Sequence, residues 1–335
     1  MSAFRPPWWL AGGHRQTLLG YWSRRRLRWT APAEDLVVEA AAGVRLLVRA
    51  SWHANAARSP TLLLVHGLGG CDTSGYGVAT GALAWEAGWN VARMNMRGAG
   101  DGEAHCARLY NAGLDGDLVA VLEAVAARTP HVAPVGFSLG GNLVLLALGR
   151  SRALVPAGVF AAAAVSPPLD LAACADALGR RANRLYERHY VAGLREAYRR
   201  RQRRLPGEYE PGRERGARTI RGFDHVITAH YGGFAGVDDY YARSSAGPWL
   251  AQVDRPALIL AAQDDPMIPA AAIARWPLPA SGLVRREITA TGGHVGFVGR
   301  TRAAGRFWAA ERVMAFLSEA WARRAASLDR TDPAA

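Results

Sequence analysis

Short, strongly apolar runs rich in β-branched residues and leucine alternate along this chain with segments whose apolar residues recur at helical spacing. TLLLVHG (61–67) and WNVARMNMRG (89–98) read as buried strands, with the helix-compatible GALAWEAG between them. LDGDLVAVLEAVAAR (114–128) is a helix, HVAPVGF (131–137) a strand, NLVLLALGR (142–150) a helix and AGVFAAAAVS (157–166) a further strand. The pattern resumes with RPALILAAQDD (255–265) and LVRREITAT (283–291), and a closing helix is predicted from about Arg302 to Ala325. Earlier, VVEAAAGVRLLVRAS (37–51) reads as two strands joined by a turn at Gly43. Runs apolar on both faces, separated by helices, belong to a parallel sheet covered on both sides. The expectation is an α/β fold with a mostly parallel sheet of about eight strands.

The alternation breaks at Pro167-Pro168, and 168–245 turn helical, basic and polar. That segment is expected to form a helical cap inserted over the C-terminal edge of the sheet, within a single domain spanning 1–335. Residues 1–35 form an N-terminal arm, and 326–335 are expected to fray. Half of the 335 residues are apolar, enough for a sizeable core, yet no run reaches the ~18 apolar residues of a membrane span and MSAFRPPWWL lacks a secretory layout. A cytoplasmic protein is expected.

The net charge is +13, and all 41 basic residues are arginine, a bias that a GC-rich coding sequence would also produce. No nucleic-acid-binding motif accompanies the charge, so a nucleic-acid partner is not expected. Much of the excess is local: 180–221 hold fourteen arginines against five glutamates. Cys71, Cys106 and Cys174 are scattered and odd in number, suggesting neither a disulfide framework nor a metal site.

VGFSLGGN (135–142) carries Gly-x-Ser-x-Gly between a predicted strand and a predicted helix. The pentapeptide alone is weak. Its setting suits a strained turn that lifts the Ser138 hydroxyl clear of the backbone. Such a serine needs a base and an orienting carboxylate, and in the α/β-hydrolases, which this layout resembles, these follow in the order acid, then histidine. His294 in ATGGHVGF and Asp265 in AQDDPMIP fit that order, with Asp264 as the competing acid. Asp265 is preferred, because the acid in that superfamily commonly stands four residues before such a proline. Two N–H groups should hold the oxyanion of the tetrahedral intermediate: that of Leu139, after the nucleophile, and that of Leu68, in HGLGG after the early strand.

Across nearly the whole length, FRPPWWLAGGHRQTL, HGLGG, NMRG, VGFSLGGNL, FDHVITAHYGGF, DYYARSS, DDP and GGHVGF resemble one α/β-hydrolase family. This is the YheT-like family, with the plant embryogenesis-associated EMB8 proteins and the animal ABHD1/ABHD3 group. The resemblance implies a serine esterase on a Ser138–Asp265–His294 triad, acting without cofactor or metal on short- to medium-chain acyl or lipid esters. Gly232-Gly233-Phe234, where a histidine often precedes Gly-Phe, and FDH in place of F-D-D depart from the family pattern within the insertion, where they bear on substrate preference. The animal members' N-terminal membrane anchor is expected to be absent.

Two rivals stand beside the hydrolase: an acyltransferase passing the acyl group to an alcohol, and a non-catalytic module binding lipid or protein. His66 is expected to brace the oxyanion loop, Arg97 to anchor a loop through backbone carbonyls, and His14, His225 and His230 to be structural or to line a pocket. Asp115 and Asp117 are N-cap candidates, and the arginines of 199–204 form a solvated helix face. The tryptophans of PPWWL beside Arg24–Arg26 suit either an arm folded over the domain or transient contact with a membrane surface.

Overall fold

The computed structural model describes residues 4–106 and 108–331. Eight strands form one sheet: β1 (Glu34–Ala41), β2 (Val44–Ser51), β3 (Thr61–Val65), β4 (Asn90–Met94), β5 (Val132–Phe137), β6 (Ala162–Val165), β7 (Ala257–Ala262) and β8 (Val284–Thr289). Their spatial order is β1-β2-β4-β3-β5-β6-β7-β8. β1 and β2 form a hairpin that turns at Gly43, where φ is 70°, and β2 runs antiparallel to β4. All later pairings are parallel.

Burial explains why the inner strands read as continuous apolar runs. Every residue of β3, β4, β5, β6 and β7 is buried, and successive side chains enter opposite layers. Leu62 and Leu64 point into one core and Leu63 and Val65 into the other. The edge strands β1 and β8 are partly exposed and carry Glu34, Asp35, Glu39, Arg285 and Glu287, which discourage edge-to-edge pairing.

The helices are α1 (Gly13–Arg24), α2 (Gly75–Glu86), α3 (Asp115–Ala126), α4 (Leu139–Gly149), α5 (Leu171–Leu178), α6 (Arg184–Arg204), α7 (Ile220–Phe223), α8 (Ala229–Tyr231), α9 (Val237–Ser244), α10 (Ala270–Ala274) and α11 (Trp308–Thr331). α3 and α4 pack together on one face of the sheet, and α2 packs with α11 on the other. None among the described residues is long and apolar enough to cross a membrane.

α5 to α9 lie between β6 and β7, and part of that segment has its own small core of Tyr198, Tyr209, Ala217, Phe223 and Ile227. It is tied to the loops that follow parallel strands: Arg201 donates to the Gly98 carbonyl after β4, and Asn183 to the Pro266 carbonyl after β7. The segment therefore stands over the C-terminal ends of the strands, where a site on such a sheet forms.

Two sequence expectations shift. The closing helix starts at Trp308 rather than near Arg302, because Gly305 and Arg306 have φ of 65° and 56° and break the first turn. It continues through Thr331, into the stretch expected to fray, whereas 332–335 and residues 1–3 of the arm lie outside the described residues.

Candidate active site

The turn between β5 and α4 places Ser138 at φ 51°, ψ −120°, a left-handed conformation that costs a non-glycine residue about 1–3 kcal/mol. The surroundings hold it there. Its N–H donates to the Val165 carbonyl at 2.8 Å, and its own carbonyl accepts from Gly141 and Asn142 to begin the helix. Both motif glycines are sterically required. A Cβ at Gly136 would stand 2.1 Å from the Gly140 carbonyl oxygen, and one at Gly140 would stand 2.4 Å from that of Val65.

Three side chains predicted to act together do meet. The Ser138 hydroxyl lies 2.9 Å from His294 Nε2, and His294 Nδ1 lies 3.0 Å from Asp265 Oδ2. A carboxylate only accepts, so Nδ1 carries the proton and Nε2 is free to accept from the serine. The other Asp265 oxygen accepts from the N–H groups of Met267 and Ile268 at 2.8 and 3.0 Å. Asp265 and His294 are buried, and Ser138 is half-buried.

Asp264 turns the other way. One of its oxygens accepts from the Gly293 N–H at 2.9 Å, and burial raises its pKa. It supports the loop that carries His294 but does not touch the imidazole.

The HGLGG loop is pinned rather than slack. Gly67 N–H donates to the Tyr76 hydroxyl, Gly69 N–H to the Tyr110 hydroxyl, Gly70 N–H to the Gly67 carbonyl and Cys71 N–H to Ser74. Leu68 N–H alone in that run donates to no protein group among the described residues, and Leu139 N–H at the start of α4 is equally free. Burial pushes the Tyr110 hydroxyl up to about 12, which keeps it a neutral partner. His66 braces the same loop: Met96 N–H donates to its Nε2, and its Nδ1–H donates to the Gly67 carbonyl. Burial lowers its pKa to about 4, so it is neutral over most of the pH range.

The arm holds the histidine loop from outside, a role the sequence did not reveal. His294 N–H donates to Thr17 Oγ1 at 2.9 Å, and Val298 N–H to Gln16 Oε1 at 2.7 Å. The buried Arg24 guanidinium donates to the Val295 and Gly296 carbonyls and stacks 4.2 Å from the centre of the Phe307 ring. Burial brings its pKa down to about 9. Ser166, also at positive φ, receives the Val295 N–H. Gln16 and Thr17 are buried, but the sequence offers no signal of their role, because the partners in this loop lie 277 and 282 residues away.

Several secondary assignments change. Asp115 and Asp117 are not caps: α3 begins after Leu114 without a side-chain cap, and their carboxylates are taken by Arg150 and Arg97. Arg97 accordingly grips Asp117 through two bonds of 2.6 and 2.7 Å instead of backbone carbonyls. The 199–204 arginines are largely exposed, as expected of a solvated face, but they are also ion-paired. Arg199 meets Glu214, Arg203 meets Glu196, and Arg200, Arg201 and Arg204 converge on Glu103. His14, His225 and His230 are exposed, and His14 stacks on Tyr186. Cys71, Cys106 and Cys174 are free thiols.

Comparison with known proteins identifies the family and the fold. A family model described as "alpha/beta hydrolase fold" matches residues 60–301. "Putative esterase YheT" of Escherichia coli (strain K12) is 31% identical over 91% of this chain and 90% of its own length. "Phospholipase ABHD3" of Mus musculus is 31% identical over 74% of this chain and 61% of its own, and "Embryogenesis-associated protein EMB8" of Picea glauca is 29% identical over 77% and 58%. Among solved structures, the Pyrococcus furiosus esterase Pf2001 superposes with a TM-score of 0.56 at 14% identity, covering 95% of this chain and 98% of that one, a likeness of fold. The chain belongs to the α/β-hydrolase family that includes YheT, EMB8 and ABHD3.

Proposed function

We propose that the chain is a carboxylic ester hydrolase whose nucleophile is Ser138. The observation that carries this reading is the unbroken hydrogen-bond line from Ser138 Oγ through His294 to Asp265, beside two unengaged N–H groups. Ser138 Oγ attacks the ester carbonyl as its proton passes to His294 Nε2. Asp265 holds the imidazole in the required tautomer and stabilises the imidazolium. The Leu68 and Leu139 N–H groups receive the oxyanion, each worth about 3–4 kcal/mol if aimed at it. His294 then protonates the departing alcohol, and water, deprotonated by His294, releases the acid from the acyl-serine.

The substrate class is a small or lipid ester, a reading supported by relatives named as esterases and a phospholipase. Trp8, Trp9 and Trp22 are exposed on the arm, with Arg25 stacked on Trp22, which supports transient contact with a membrane surface during access to lipid esters.

A fluorophosphonate probe tests the nucleophile. It is expected to label Ser138 in folded protein, and Ser138→Ala to lose both the label and p-nitrophenyl butyrate hydrolysis by about 10⁶ in kcat. Unchanged labelling or hydrolysis in Ser138→Ala would overturn the assignment. With a labelled acyl ester and modest ethanol, free acid is expected as the main product; a dominant ethyl ester would instead make the protein an acyltransferase.

A further inference from the structure

Most arginines of the segment between β6 and β7 are ion-paired, and most of those that are not gather in one place. Those at 199–204, 213 and 221 sit on carboxylates: Glu103, Glu196, Glu214, Glu210, Asp176 and Asp238. Arg181, Arg184, Arg188, Arg195 and Arg218 have no ion pair or hydrogen bond among the described residues, and all five line one groove of about 750 Å³. The groove lies between the first half of α6 and the turn that leads into α7.

Gathering five guanidinium groups around Glu187, with Glu214 near enough to Arg195 to feel its charge, leaves the groove with an excess of positive charge, and salt screens only part of the repulsion. The one carboxylate in the groove, Glu187, is buried and accepts from the Ile220 N–H, and its single negative charge offsets only part of five positive ones. Arg195 Nε is buried and has no acceptor among the described residues, which leaves a donor for an anion in the groove. Val191 and Ala192 provide a partly apolar floor, against which charge-assisted hydrogen bonds gain strength. The groove is also separate from the candidate active site. Arg184, Arg188 and Arg195 share one stripe of α6 at spacings of four and seven. Tyr186 and Tyr190, on the opposite face by helical geometry, are the α6 side chains close enough to Asp265 to feel its charge.

We propose that this groove is a binding site for a phosphate-bearing anion. Planar guanidinium forks match the tetrahedral oxygens of phosphate with paired N–H donors, and several forks around one cavity suit a multiply charged group better than a single carboxylate. The phosphate can belong to a soluble molecule or to a lipid headgroup, and the groove chemistry is the same for both.

The test uses the full chain in three forms: wild type, an Arg184→Gln/Arg188→Gln/Arg218→Gln variant, and a control, Arg45→Gln/Arg58→Gln/Arg300→Gln, that removes the same charge from exposed positions elsewhere. Circular dichroism and thermal unfolding establish that each form is folded. Calorimetric titration with inorganic pyrophosphate is expected to show saturable binding to wild type and control, weakened at least tenfold in the groove variant. Co-sedimentation with vesicles of 30% phosphatidylglycerol in phosphatidylcholine separates the sources. Loss of vesicle binding in the groove variant alone assigns the phosphate to a headgroup, and pyrophosphate binding without that loss assigns it to a soluble ligand. Wild type that binds neither probe, or a groove variant and control that weaken equally, would overturn the proposal. No arm measures ester hydrolysis, so the outcome is independent of the esterase reading.

Discussion

Asp264 and Asp265 are adjacent in sequence and have unlike surroundings. Asp265 accepts two backbone N–H groups and the histidine, whereas Asp264 accepts from Gly293 and keeps one buried oxygen unpaired. Asp265→Asn, whose amide would favour the wrong imidazole tautomer, is expected to reduce kcat by about 10⁴. Asp264→Asn is expected to cost about tenfold or less, through the histidine loop alone. Comparing the two variants on p-nitrophenyl butyrate checks this, and the reverse ranking would move the acid to Asp264. The serine turn was legible because its requirements are local: two glycines, a strand before and a helix after. Asp115 and Asp117 were misread for the complementary reason. Position at a helix start is a local cue, but Arg97 and Arg150 arrive from other elements and take the carboxylates away from any capping role.

Among the elements, the sequence showed that an arm exists but not what it does. α1 packs backbone to backbone on the loops that carry the acid and the histidine: a Cβ at Gly13 would stand 1.7 Å from the Asp264 carbonyl oxygen, and one at Gly293 would stand 2.3 Å from that of Gly13. Thr17, Gln16 and Arg24 then satisfy polar groups of a loop in which Val295 and Phe297 hold positive φ. Thr17→Val removes the acceptor of the His294 N–H while keeping the shape. It is expected to destabilise the fold by about 1–3 kcal/mol and to slow fluorophosphonate labelling of Ser138. Thr17→Ser is expected to restore both. A Thr17→Val protein that loses stability but labels at the wild-type rate would reduce the arm to a packing element. No pattern within residues 4–29 could have identified partners near residue 295, because hydrogen bonds between distant segments leave no periodicity in either.

For the whole molecule, the alternation of strand and helix determined the class of fold, but the order of strands was not legible. Inner strands buried on both faces look alike, and only packing decides that β2 pairs with β4. Titration is likewise a property of the assembled protein. Burial holds His66 at about 4, below the ordinary histidine value of about 6.5, so the unfolded chain binds a proton there that the folded one does not. This contribution raises stability as pH rises from about 4 to 6.5. Asp224 does the opposite. Burial lifts it to about 6 despite bonds from Thr228 and Tyr241 and the charge of Arg221, so its contribution is fully present below about 3.8 and fades as pH rises through 6. Between pH 4 and 6 the two differences in bound protons oppose each other. Asp224→Asn is therefore expected to steepen the rise of stability with pH across that window, by at most about 1.4 kcal/mol per pH unit, and His66→Asn to flatten or reverse it by a similar amount. Urea unfolding at several pH values between 4.2 and 6 measures both slopes against wild type. Parallel slopes in all three proteins would show that neither group carries a shifted pKa, and slopes displaced in the same direction would show that one of the two has the opposite sign.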